Sequence, residues 1–196
     1  MLGKPVRRVF LCYTEYMSPK NLSIVIFDGS NFYHKLKELS LEHTIDFDYK
    51  KFVKSIISDS RLVACYFCIG KIRAKQEDKK ARKLMANQQK MVTGLKNQGF
   101  IIQFGYLLKT AKGFHEKGVD VQIARDLMAD AFRDRYNTAF LVSSDSDLLP
   151  AIEEVHSIGK QVVYVGFKHK PSFALLKNCK KSILLTKEDL LPFCKY

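Results

Sequence analysis

Short apolar runs alternate with amphipathic stretches from residue 22 to residue 185. Leu22–Phe27 reads Leu-Ser-Ile-Val-Ile-Phe, rich in β-branched residues, the pattern of a strand buried on both faces. Arg61–Ile69, Phe100–Leu108, Thr138–Val142, Gln161–Phe167 and Ser182–Leu185 repeat that pattern and are predicted as further strands. Between them the periodicity is helical. Asn31–Leu39 carries Phe32, Leu36 and Leu39, and Tyr49–Ile57 sets Phe52, Val53, Ile56 and Ile57 on one stripe. A long helix is predicted from about Lys75 to Lys96, ended by Asn97–Gly99. Asp120–Tyr136 follows, with Val121, Ala124, Leu127, Met128 and Ala131 at steps of three and four. Pro150–Ile158 is a helix stopped by Gly159, Phe173–Leu176 a short helical turn, and Lys112–Gly118 a glycine-bounded loop. This alternation predicts an α/β fold: three layers, α/β/α, around a mostly parallel sheet of Rossmann-like type.

A chain of 196 residues fits one domain, residues 21–196, preceded by a basic arm over residues 1–20. Charge changes the picture more than length does. The 33 Lys and Arg outnumber the 20 Asp and Glu, for a net charge of +13, which favours a polyanionic partner. The five cysteines lack the spacing of a disulfide framework. Cys65 and Cys68 form a C-x-x-C inside a predicted strand, on opposite faces, and read as buried reduced thiols. After Arg7-Arg8 only Val9–Tyr13 is apolar, too short for a signal peptide, and no run approaches the ~20 residues of a membrane span. The chain reads as cytoplasmic and not membrane-bound; its oligomeric state is left open, a homodimer included.

Against the basic background, acids stand where strands end and helices begin. Asp28 closes the first strand, Asp120 opens a helix, and Asp145 and Asp147 follow Thr138–Val142. In an open parallel sheet, ligands bind beyond the carboxyl ends of the strands. If Leu22–Phe27 and Thr138–Val142 are neighbours, these carboxylates converge. At roughly 4 Å and an effective dielectric of about 20, each like-charged pair repels by about 4 kcal/mol. A divalent cation relieves that repulsion and can promote phosphodiester hydrolysis. Structural duties compete for each residue: Asp28-Gly29 is a turn dipeptide, Asn31 suits an N-cap, Asp120 suits a helix dipole, and one acid or serine of Ser143–Asp147 caps the next helix.

Four blocks carry a resemblance: Ile26-Phe27-Asp28-Gly29-Ser30-Asn31, Lys117-Gly118-Val119-Asp120-Val121, Val142-Ser143-Ser144-Asp145-Ser146-Asp147-Leu148-Leu149-Pro150, and Gly159-Lys160-Gln161-Val162-Val163. In this order, over roughly residues 22–185, the chain resembles the NYN domain, the LabA-like branch of the PIN-like nucleases. The resemblance implies a PIN-like fold, an Mg²⁺- or Mn²⁺-binding acidic pocket and ribonuclease activity. It implies Asp28, Asp120, Asp145 and Asp147 as metal-site and catalytic acids. Asn31, Ser144, Asp126 and Ser172 would be supporting polar residues. One feature departs from the family pattern: where an acid is common after the serine at Ser172, this chain reads Asn178-Cys179-Lys180.

Phosphate contacts are expected from Lys71, Arg73, Lys75, Lys79, Lys80, Arg82 and Lys83 along one basic run, from Lys168 and Lys170 after a strand, and from Lys117 beside Asp120. The competing reading is a non-catalytic module that holds RNA or a protein. A haloacid-dehalogenase site is disfavoured by Ser30 two residues after Asp28, and a dinucleotide site by the missing G-x-G-x-x-G.

Overall fold

The computed structural model describes residues 21–41, 47–73, 76–110 and 113–194. The predicted basic arm over residues 1–20 lies outside the described residues, as does Lys75. The elements run β1 (Leu22–Asp28), α1 (Gly29–Glu38), α2 (Tyr49–Ile57), β2 (Arg61–Lys71), α3 (Lys79–Asn97), β3 (Ile101–Thr110) and β4 (Gly113–Lys117). They continue with α4 (Val119–Phe132), β5 (Thr138–Val142), a 3-10 turn (Ser146–Leu148), α5 (Leu149–Ser157), β6 (Gln161–Phe167), α6 (Phe173–Asn178), β7 (Lys181–Leu185) and α7 (Lys187–Leu190).

One seven-stranded sheet has the order β4-β3-β2-β1-β5-β6-β7. Every pair is parallel except β3–β4. Alternation along β1 explains the three layers. Val25 and Phe27 enter one core with Phe32, Phe52, Phe67 and Phe100 beneath α1, α2 and α3. Ile24 and Ile26 enter the other with Ile123, Leu127 and Ile152 of α4 and α5. Cys65 and Cys68 are free and buried in opposite cores, as their spacing in a strand requires.

From β1 the chain first builds outward on one side, through β2 to β4, and then on the other, through β5 to β7. The reversal makes the gap between β1 and β5 a topological switch point, and in open α/β sheets the place beyond the strands' carboxyl ends at such a point is where ligands bind.

Several sequence expectations shift. The loop expected over Lys112–Gly118 contains β4, which pairs antiparallel with β3 from Tyr106↔Lys117 to Thr110↔Gly113. The long helix begins at Lys79, because Asp78 accepts from Ala81 N as its N-cap. The helix expected to reach Tyr136 stops at Phe132, with Asp134 in the left-handed region at φ 53°. Tyr136 stays buried there through its hydroxyl, which donates to Leu127 O at 2.8 Å. The chain also adds α7, closed by a Thr186–Asp189 capping box.

Candidate active site

Asp28 is the last residue of β1 and is 5% exposed. Its Oδ1 accepts from Asn31 N at 2.9 Å, so it also serves as the N-cap of α1. The turn expected at Asp28-Gly29 is thus a direct strand-to-helix junction. A Cβ at Gly29 would lie 2.4 Å from Phe67 Cε1 and 2.9 Å from Cys68 O, so the junction presses against β2. Asn31 lies inside α1, and its Oδ1 accepts from Ser144 N at 3.2 Å.

Ser143 joins the two strands at the switch point. Its buried hydroxyl donates to Asp28 Oδ2 at 3.0 Å and accepts from Asp145 N at 3.1 Å. Asp145 Oδ1 in turn accepts from Asp147 N at 2.9 Å, capping the 3-10 turn that leads into α5. The condition set for the acids to converge, that β1 and Thr138–Val142 be neighbours, is met, with Phe27 paired to Val142. Asp28 is buried, Asp145 half-buried and Asp147 exposed. Asp120 is exposed in the first turn of α4, a helix that packs against both β1 and the 3-10 turn.

Asp126 lies further along α4, about 9 Å from Asp120 along the helix axis. It is buried, its Oδ1 accepts from Arg125 Nη2 at 2.7 Å, and its Oδ2 has no hydrogen-bond partner among the described residues. Burial pushes its pKa up, against the opposing pull of Arg125 and with the help of the Asp130 charge. Asp130 is itself bonded to Tyr66 Oη at 2.6 Å and to Arg135 at 3.0 Å. Asp126 thus belongs electrostatically with Asp130. Among the described residues, no three carboxyl, imidazole or thiol groups gather into a preassembled cation cage.

Two residues at this edge escaped the sequence reading. Ser143 is indistinguishable in sequence from Ser144 and Ser146. Tyr164 lies in an apolar run and is fully buried, yet its hydroxyl accepts from Ser172 N at 2.9 Å and lies 3.2 Å from Ser144 Oγ. A cavity of about 570 Å³ opens at the opposite, amino edge between Asn21, Asp59, Thr138, Gln161 and Lys181, and includes none of the predicted acids.

With this geometry in place, the family model described as NYN domain matches residues 23–186. The chain belongs to the NYN domain family. NYN domains are part of the PIN-like nuclease superfamily. No curated protein matches the chain. Its fold is similar to that of a solved protein of unknown function, VPA0982, from Vibrio parahaemolyticus RIMD 2210633. That likeness has a TM-score of 0.63 at 20% identity and covers 86% of this chain and 95% of the other.

The basic residues of this NYN domain fall around the same carboxyl edge. Lys71 ends β2, its Nζ 5.6 Å from the Phe104 ring centroid, and exposed Arg73 follows. Lys79, Lys80, Arg82 and Lys83 are exposed on the first turns of α3, which starts where β2 has left the sheet. Lys168 and Lys170 follow β6, and Lys170 Nζ bonds Glu38 Oε1 at 3.1 Å. Lys117 ends β4. By register, Gln103 is level with Asp28, so β3 continues to Thr110 for about 23 Å past the site, with β4 alongside it. Among the described residues, no helix is long and apolar enough to cross a membrane.

Proposed function

We propose that this NYN domain is a metal-dependent ribonuclease of the cytoplasm, hydrolysing RNA phosphodiester bonds at the β1–β5 crevice. The observation that carries the reading is the Ser143 hydroxyl holding buried Asp28 and the Asp145 backbone on one edge, in a chain of a nuclease superfamily.

The donors at that edge are carboxylate and hydroxyl oxygens, which suit a hard dication such as Mg²⁺ or Mn²⁺ and disfavour a soft one. Mg²⁺ commonly uses one or two carboxylates together with water and substrate phosphates, so Asp28 and Asp145 are a sufficient protein contribution. When bound, the ion supplies Lewis acidity to the phosphate and makes a nearby water more acidic. The chain does the rest. Ser143 and Asn31 N fix the direction of both Asp28 oxygens. Asp120 and Asp147, both exposed, are the acids that would orient an attacking water or take its proton. Lys117, Lys168, Lys170 and the start of α3 offset the charge of the RNA backbone.

The test is Mn²⁺-dependent cleavage of an RNA oligonucleotide by the full chain and by Asp28→Asn and Asp145→Asn. Loss of cleavage in both is the expected result, and full activity in both removes the mechanism. A second reading, a non-catalytic RNA-binding module, is favoured by the absence of a preassembled three-residue cage among the described residues and by Asn178-Cys179-Lys180 standing where the family resemblance leads one to expect an acid. Mn²⁺ titration separates the two, because a binding module has no need of the ion.

A further inference from the structure

The Tyr164 hydroxyl is where two loops of the carboxyl edge meet. It accepts from Ser172 N at 2.9 Å, from the segment after β6, and lies 3.2 Å from Ser144 Oγ, on the loop carrying Asp145. The ring is fully buried on the face shared by Ile24, Ile123 and Leu175. Its position depends on the residue two places on. A Cβ at Gly166 would lie 2.1 Å from the Tyr164 hydroxyl oxygen and 2.2 Å from Cζ. Any side chain there would expel the phenol from its place between the loops.

The direction of the Tyr164–Ser144 bond follows from satisfying each proton. The phenol oxygen already accepts from Ser172 N, and its own proton needs an acceptor, since buried donors are seldom left unpaired. Ser144 Oγ is the acceptor within reach among the described residues. Were Ser144 the donor, the phenol proton would be buried without one. With Tyr164 donating, the proton of the half-buried Ser144 hydroxyl is left to serve something outside, one residue from Asp145. Ser144 N is meanwhile pinned to Asn31 Oδ1 at 3.2 Å, so the residue cannot turn away.

We propose that Tyr164 is a positioning residue that turns the Ser144 hydroxyl proton outward, to donate to a phosphate oxygen of the substrate at the β1–β5 crevice. The identity of that phosphate as RNA rests on the nuclease reading; the coupling of residues 144 and 164 does not. Gly166 is the third member of the device, since it leaves room for the phenol.

The experiment is a double-mutant cycle on the full chain with Tyr164→Phe, Ser144→Ala and both together. Single-turnover cleavage of a single-stranded RNA oligonucleotide in Mn²⁺ is measured alongside the affinity for a phosphorothioate analogue. Tyr66→Phe is the control, because it removes another phenol on the same face, one that bonds Asp130 Oδ2 at 2.6 Å away from the acids at the crevice. The expected result is a rate loss of about tenfold in each single variant, the size of one lost hydrogen bond to a charged group, with the double variant no slower than Ser144→Ala. Tyr66→Phe should lower Tm and leave the rate unchanged. Wild-type rate in folded Tyr164→Phe, or losses that multiply in the double variant, would overturn the assignment. If Tyr164→Phe does not fold, Ser144→Ala decides, and an unchanged rate overturns it. A wild-type protein that binds RNA without cutting it ends the nuclease reading alone. The cycle is then read in affinity: coupled losses uphold the proposal, and equal affinities for all four proteins reject it.

Discussion

Ser143 donates its hydroxyl proton to Asp28 Oδ2 at 3.0 Å, across the junction where β1 and β5 run side by side. Both residues are buried, so the bond stabilises a carboxylate that water does not reach freely. Ser143→Ala should therefore destabilise the fold by about 1–3 kcal/mol, the cost of leaving a buried charged acceptor short of a donor. Urea unfolding measures this directly. A loss no larger than that of Ser55→Ala, whose hydroxyl bonds Phe52 O within its own helix, would show that the link carries little energy.

Asp28 has two duties that substitution can separate. Asparagine caps a helix about as well as aspartate does, whereas alanine in place of a capping residue costs about 1 kcal/mol. Asp28→Asn and Asp28→Ala should lose cleavage equally and lose stability unequally, with alanine the worse. Equal melting temperatures would mean that the Asn31 N contact is not what holds the start of α1.

Much of this was legible in sequence because strand ends and acids coincide. A short, β-branched apolar run such as Ile24–Phe27 is the pattern of a strand covered on both faces, so the residue after it is expected at a sheet edge. Asp145 follows β5 for the same reason. The neighbour relation of β1 and β5 is not written in the sequence, since strand order depends on which way each crossover folds. β4 was missed because residues 112–118, with two glycines and mixed polar residues, carry no period of two. Tyr164 and Ser143 were missed for a different reason. Their roles lie in which hydroxyl meets which oxygen, and a tyrosine inside an apolar run is written identically whether its oxygen is idle or engaged.

Gly29 and Gly94 should respond to the same substitution with opposite signs. A Cβ at Gly29 would press on Phe67 and the Cys68 carbonyl, so Gly29→Ala should destabilise by about 1–3 kcal/mol. A Cβ at Gly94, inside α3, meets nothing within 4 Å, and Gly94→Ala should stabilise by up to about 1 kcal/mol through helix propensity and a stiffer unfolded chain. Parallel denaturation curves of the two variants give the comparison. Stabilisation by both would contradict the close approach of α1 to β2.

The segment after β6 is tied to α1 electrostatically. His169 Nε2 lies 2.9 Å from Glu38 Oε2 and Lys170 Nζ 3.1 Å from Oε1. These bonds, His169 first, hold the Glu38 pKa down to about 2. A depressed carboxylate stabilises the fold fully above its unfolded pKa of about 4.3 and ceases to as pH falls through the folded value. The melting-temperature gap between wild type and Glu38→Gln should be widest near neutrality, close between pH 4 and pH 2, and narrow with added salt because the group is solvent-facing. A gap independent of pH would assign the effect to packing.

Asp126 makes the opposite case. Its pKa is raised, chiefly by burial, so the ionised form is the one the fold disfavours. The sign follows: no penalty is present below the unfolded pKa, and it appears as pH rises through the higher folded value. Asp126→Asn keeps an oxygen for Arg125 and carries no charge to desolvate. The neighbouring Asp130 charge, which opposes a second carboxylate, does not oppose an amide. The variant should thus be more stable than wild type at pH 7, by on the order of 1 kcal/mol, and indistinguishable from it near pH 3. Urea midpoints at both values settle the matter. An asparagine variant weaker than wild type at pH 7 would show that the Arg125 ion pair outweighs the burial it compensates.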